Sequence, residues 1–327
     1  MTQLLRRLRA LAVVPIAALV CVSIPVAAAP VAAADAAHIT DIQHVNDRWD
    51  KVSVYSPSMN TVIVNDVFKA PRTGAPTLYL LPGIDGGDDL DGPRPPGTKS
   101  WFGMTDIQGF FANKNVNVVS PLGGPFSWWT NWVSDPGKQY QTYMTRELPP
   151  VINKQYNANG KNAVGGLSST GGTALDYAVQ APGVYRAVGS YSGLLNPSDN
   201  VQQVSLTLSG GGQSAEAMWG PGGGPDWVAH DPSKNVSKLK GTAVYVAASA
   251  GGVGAVDRLP EGFGPNIAGG FIEGVINDST RAFADSASAA GVPINYVVRP
   301  EGSHTWGLFE SEMQESWNTT IGPALGA

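Results

Sequence analysis

The 327-residue chain is 43% hydrophobic and 14% charged, a composition that folds and that excludes a disordered protein. Its net charge of −5 argues against nucleic acid as a partner. The single cysteine, Cys21, leaves the rest of the chain with no thiol chemistry, disulfide or cysteine-based metal site.

Residues 1–34 read as a cleavable export signal. Arg6, Arg7 and Arg9 precede an apolar run from Ala10 to Val26, and an A-x-A site follows at Ala32-Ala33-Ala34. The alternative, Ala27-Ala28-Ala29, is disfavoured by Pro30 directly after it. The apolar run falls short of the roughly 20 residues of a membrane span and is broken by Pro15 and Pro25. Cys21 follows Val20 rather than a small residue, so it does not read as a lipidation site. Cleavage leaves residues 35–327 as one domain with no transmembrane segment. Loss of the three arginines takes the net charge from −5 to −8. The expected location is extracellular, in the cell envelope or released, and the expected state is a monomer.

Strand candidates are short β-branched runs between turn residues. "KVSVYS" and "NTVIVNDVF" form a hairpin around Pro57-Ser58-Met59. "TLYLLPG" (77–83), "VNVVSP" (116–121), "NAVGGLS" (162–168), "RAVGSYSG" (186–193), "TAVYVAAS" (242–249) and "INYVVRP" (294–300) follow. Helical patterns lie between them at 143–156, 171–182 and 270–291. An antiparallel entry followed by alternating strand and helix predicts a mostly parallel sheet with helices on both faces. Residues 194–240, rich in Gly, Ser and Asn, interrupt the alternation and read as a cap-like insertion.

Active sites in such sheets lie at the carboxyl ends of the strands. "VGGLSSTGGTA" (164–174) places two serines at a strand-to-helix junction, where a nucleophile stands exposed on a sharp turn. Small residues are wanted two positions to either side. Ser168 has Gly166 before it but Thr170 after it; Ser169 has Leu167 before it and Gly171 after it. Leu at −2 clashes more than Thr at +2, which favours Ser168. A second G-x-S, Gly212-Gln213-Ser214, follows a glycine run and no strand.

A serine nucleophile needs a base and a group to orient that base. Of His38, His44, His230 and His304, the last follows the final predicted strand and completes the order serine, acid, histidine. His230 sits in a loop suited to a surface or capping role. The acid stays open at this level among Asp257, Glu261 and Glu273. Two backbone donors are required for the oxyanion. Ser169 supplies one at a helix start, and Ile84, in the Gly83-Ile84-Asp85-Gly86-Gly87 loop, supplies the other. This set defines an α/β-hydrolase fold. No histidine pair or phosphate-binding loop suggests a metal or nucleotide, so no cofactor is expected.

From about Val52 onward the chain resembles the secreted mycolyltransferases of the antigen 85 family. The matching stretches are "YLLPGIDGGDD", "PLGGPFSWWTNW", "RELP", "GGLSSTGGTALDYA", "GLLNPSD", "AMWGPGGGPDWVAHDP", "NIAGGFIEGVI" and "PEGSHTWGLF". The resemblance implies Ser168 as nucleophile, Glu273 as acid, His304 as base, and Ile84 and Ser169 as oxyanion donors. It also implies acyl transfer from trehalose monomycolate to a second such glycolipid, to cell-wall arabinogalactan, or to a protein hydroxyl.

Two positions depart from the family. Pro82 stands where the family has an aspartate and Asp85 where it has an arginine, both in the trehalose-binding region. An insertion, "LDGPRPPGTKS", follows Asp89, and "SDPGKQY" replaces the cysteine pair of many members. These departures motivate an alternative acceptor that is not a sugar. A non-catalytic binding protein of the same fold is the third reading. Asp85, Trp128, Trp129, Trp132, Trp219, Trp227 and Trp306 are the candidates for lining sugar or lipid surfaces. Tryptophans mostly bury themselves, so packing is the ordinary role of each.

Overall fold

A computed structural model describes residues 36–88, 97–258 and 267–327. The export-signal segment, Glu261 and most of the insertion after Asp89 lie outside the described residues.

Nine strands form one sheet in the order β1-β2-β3-β5-β4-β6-β7-β8-β9. They are β1 (His38–His44), β2 (Trp49–Ser56), β3 (Thr61–Phe68), β4 (Thr77–Leu80), β5 (Asn117–Pro121), β6 (Asn162–Leu167), β7 (Ala187–Tyr191), β8 (Ala243–Ser249) and β9 (Asn295–Arg299). The first three pair antiparallel, and β3 meets β5 antiparallel. From β5 through β4, β6, β7, β8 and β9 every pairing is parallel. The expected alternation therefore holds, with β1 as an additional edge strand. His38 and His44 lie on it, and a register shift between Ile39 and Asp41 marks a bulge of the kind edge strands carry.

Successive side chains of a strand point to opposite faces, and the central strands are apolar on both. Tyr79, Val164, Val188 and Val244 face one layer with Leu175 of the Ser169–Gln180 helix and Phe283 of the Ile267–Ala290 helix. Leu78, Leu80, Ala163, Leu167 and Tyr191 face the other, with Phe111, Phe309 and Trp317. Both faces being covered is the condition for a parallel sheet. The predicted helix at 143–156 begins earlier, at Tyr140, and continues to Gln155 ahead of β6.

The 194–240 insertion carries three short helices, Val201–Gly210, Ala215–Trp219 and Pro225–Ala229. Its own cluster, including Trp128, Trp132, Val204, Leu208, Trp219 and Trp227, packs over the carboxyl end of the sheet through Leu194, Ala248 and Ile276. No helix among the described residues is long and apolar enough to cross a membrane.

Candidate active site

Ser168 directly follows β6 and precedes the Ser169–Gln180 helix, with φ 54° and ψ −122°. A non-glycine residue held at such a sparsely populated positive φ costs on the order of 1–3 kcal/mol, and such outliers cluster at functional sites. The turn is possible because of Gly166. A Cβ built there would lie 2.1 Å from the Thr170 carbonyl oxygen, so the −2 position admits only glycine. Thr170 fits at +2 because its hydroxyl is used. It lies 2.8 Å from the Pro82 carbonyl and 2.9 Å from the Leu167 carbonyl, and accepts from the Leu167 N–H at 3.2 Å. Thr170 thereby ties the serine turn to the loop that carries Ile84.

His304 comes from the loop after β9. Its Nε2 is 2.9 Å from Ser168 Oγ, and its Nδ1 is 2.6 Å from Glu273 Oε1. With Nδ1–H donating to the carboxylate, Nε2 is left to accept the serine proton. The ring is 12% exposed and rests edge-on against Phe309 at 4.9 Å. Glu273, on the Ile267–Ala290 helix, is fully buried rather than solvent-facing. Its second oxygen, Oε2, accepts from the Ser249 N–H and from the Ser192 hydroxyl, each at 3.0 Å.

Asp257, one of the open acid candidates, stands elsewhere in this arrangement. Its Oδ1 accepts from Ser303 N–H (2.9 Å) and Thr305 Oγ1–H (2.7 Å), and its Oδ2 from Gly254 N–H (2.8 Å). It clamps the residues on either side of His304, whose φ is 57°. Burial pushes its carboxyl up, but these hydrogen bonds outweigh burial and hold it below the usual carboxylate range.

Ser168 and His304 open onto a cavity of about 250 Å³ lined by Ile84, Trp128, Ser169, Leu194, Ile272 and Ile276. Ile84 and Ser169 thus stand beside the serine. Gln203 and Thr207, on the insertion's first helix, also line the cavity, and sequence reasoning missed them in a segment read only as a cap. Their i,i+4 spacing with Val204 and Leu208 on the buried side was the available signal. Ser192, Ser249 and the clamp role of Asp257 were likewise missed, and single hydroxyls or carboxylates in loops give no pattern to find.

Of the six candidate tryptophans, Trp128 lines the cavity. Trp129 is in the core and Trp132 packs under the Lys138 ammonium. Trp219 packs edge-on against Trp227 and stacks on His230 at 5.0 Å, and Trp306 meets Trp101 and Phe309 edge-on. Asp85 is half-buried, accepts from the Gly87 N–H at 3.1 Å, and is raised above the usual carboxylate range by burial. His230 bonds Asp176 at 2.7 Å and does not reach Ser168, while His44 bonds Asp50 at 2.7 Å. Ser214 caps the Ala215–Trp219 helix. Among the described residues, no group of three or more His, Cys, Asp or Glu is placed to hold a metal ion.

A serine on a strand-to-helix turn, at the carboxyl edge of a mostly parallel nine-stranded sheet, defines an α/β-hydrolase-fold protein, and the Esterase family model matches residues 51–318. The chain is 31% identical over 279 residues to the diacylglycerol acyltransferase/mycolyltransferase Ag85A of Mycobacterium leprae, covering 81% of this chain and 80% of that one. It is 30% identical over 275 residues to Ag85B of Mycobacterium intracellulare, covering 80% and 78%. The crystal structure of Mycobacterium tuberculosis MPT51 (FbpC1) superposes with a TM-score of 0.69 at 25% identity, covering 86% of this chain and 99% of that one. The chain belongs to the antigen 85 mycolyltransferase family.

Proposed function

We propose that this protein is an exported serine acyltransferase that moves a mycoloyl chain from trehalose monomycolate through an acyl-Ser168 intermediate. The observation that carries the reading is the chain of contacts from Ser168 Oγ to His304 to Glu273, opening on an apolar cavity. Ser168 attacks the ester carbonyl while His304 Nε2 takes its proton. Glu273 fixes the tautomer and stabilises the imidazolium. The oxyanion is met by the backbone N–H groups of Ile84 and Ser169, the second at the positive end of a helix. Collapse expels trehalose, which takes the proton back from His304. An acceptor hydroxyl then gives its proton to His304 and attacks the acyl-serine; the new ester leaves as His304 returns the proton to Ser168 Oγ.

The acceptor on this reading is a second trehalose monomycolate or cell-wall arabinogalactan. Transfer rather than hydrolysis requires that water be kept from the acyl-enzyme, and the apolar lining from Ile84, Trp128, Leu194 and Ile276 supports that. The second reading, a protein or other non-sugar acceptor, is favoured by Asp85 and Pro82, which alter the charge of the loop beside the oxyanion donor. Residues 1–34 serve as the signal that delivers the domain to the envelope. The test is intact-mass spectrometry of residues 35–327 mixed with a trehalose monoester, beside Ser168→Ala. One acyl group gained by the wild type and none by the variant is the expected result. No gain by a folded wild type would instead make this a binding protein.

A further inference from the structure

A second buried carboxyl stands behind the Glu273 side chain. Glu312, on the Trp306–Ser316 helix, is fully buried like Glu273. The two meet at one hydroxyl: Ser192 Oγ is 3.0 Å from Glu273 Oε2 and 3.2 Å from Glu312 Oε1. A serine hydroxyl has one proton to donate. If both carboxylates were ionised, one of these contacts would press two lone pairs together between like charges. Among the described residues the other oxygen of Glu312 has no partner, a state far less costly for a neutral acid's carbonyl than for a carboxylate. Ser192 also holds a left-handed backbone, φ 46°, directly after β7, so this hydroxyl is placed at a conformational cost.

Resting on the serine-acyltransferase reading above, we infer that Glu312 is a protonated positioning residue: its Oε1–H donates to Ser192 Oγ, which commits the Ser192 proton to Glu273 Oε2. Glu273 then accepts from Ser192, Ser249 N–H and His304 at once, and its charge and orientation are fixed from behind. Burial foremost, and the Glu273 charge next, push the Glu312 carboxyl well above the usual range, with Arg299 and the Ser192 contact opposing. The charged and titratable groups facing it are Glu273, Arg299 of β9 with its partner Glu315, Tyr191 of β7 and Tyr245 of β8. Among the described residues Glu312 has no salt-bridge partner, and Arg299 is bonded instead to Glu315 at 2.5 Å.

The test measures the rate at which a fluorophosphonate probe labels Ser168, read by intact mass between pH 6 and 9, together with Tm. Glu312→Gln supplies a neutral donor of the same shape, and it is expected to keep at least a third of the wild-type rate with the same pH profile. Glu312→Met cannot donate; it is expected to label at least tenfold more slowly while Tm stays equal or rises, because an unpaired buried polar group has been removed. Ser192→Ala is expected to slow labelling to the same degree, and adding Glu312→Met to it is expected to cost nothing further. A Glu312→Met protein that labels at the wild-type rate overturns the inference, as does a Ser192→Ala protein that does so. Glu312→Gln as slow as Glu312→Met overturns it too, since the acid would then act as an anion. If the folded wild type is not labelled at Ser168, the nucleophile assignment fails and takes the inference with it.

Discussion

Replacing Asp257 by asparagine separates a clamp from a catalytic acid. Asparagine keeps an acceptor toward Ser303 N–H and Thr305 Oγ1–H but turns a donor toward Gly254 N–H, so one charge-assisted hydrogen bond is lost. Such bonds contribute about 1.5–3 kcal/mol each, and about 2–4 °C of Tm accompanies each kcal/mol in a larger domain. The expected fall in Tm is therefore roughly 3–12 °C. The carboxyl is held below its ordinary value in the folded protein. Its stabilisation is thus present above the unfolded-state value near 3.9 and is lost as pH falls through the lower folded value. The Tm difference between wild type and Asp257→Asn should accordingly shrink below about pH 4. In a p-nitrophenyl butyrate assay well below Tm, Asp257→Asn is expected to lose no more than about tenfold in kcat. Glu273→Gln should lose on the order of 10⁴ at unchanged Tm, by analogy with the amide replacement in a Ser-His-Asp triad. Equal losses in the two variants, with both folded, would refute the division of roles and make Asp257 part of the acid.

Gly166→Ala forces a methyl against the Thr170 carbonyl; overpacking of this kind costs about 1–3 kcal/mol, and urea unfolding together with loss of Ser168 labelling should report it. Thr170→Val keeps the shape but removes the hydroxyl shared with Pro82 and Leu167; kcat should fall, by up to about 10² if the Ile84 donor shifts, with KM little changed. Trp128→Ala should raise KM for longer acyl esters, whereas Trp306→Phe, outside the cavity lining, should leave kcat/KM within about twofold.

The parallel strands, the serine turn and the histidine position were legible because each rests on local pattern: β-branched runs, a glycine at −2, and a histidine after the last strand. β1 was not, since the bulge between Ile39 and Asp41 breaks the period-2 alternation that marks a strand. Glu273 could not be chosen over Asp257 and Glu261 from the residues alone. Its burial comes from how the Ile267–Ala290 helix meets Ser192 and Ser249, contacts 81 and 24 residues away in the chain. The family resemblance selected it. The helical character of the insertion was hidden by its Gly, Ser and Asn content, although Val204 and Leu208 bury one face. The tryptophan-bearing stretches carried the family resemblance, yet most of their rings fill cores, because large aromatic side chains are burying residues first.

On the acyltransferase reading, the acyl-serine hands its chain to a sugar hydroxyl faster than to water. The most direct measurement of this preference is the decay of acyl-Ser168, loaded from a trehalose monoester and followed by intact mass, with and without free trehalose. Slow loss in buffer and loss at least tenfold faster with trehalose, with the new ester recovered in solution, is the expected result. Decay at one rate in both, with only free acid released, would contradict it and make the protein an esterase.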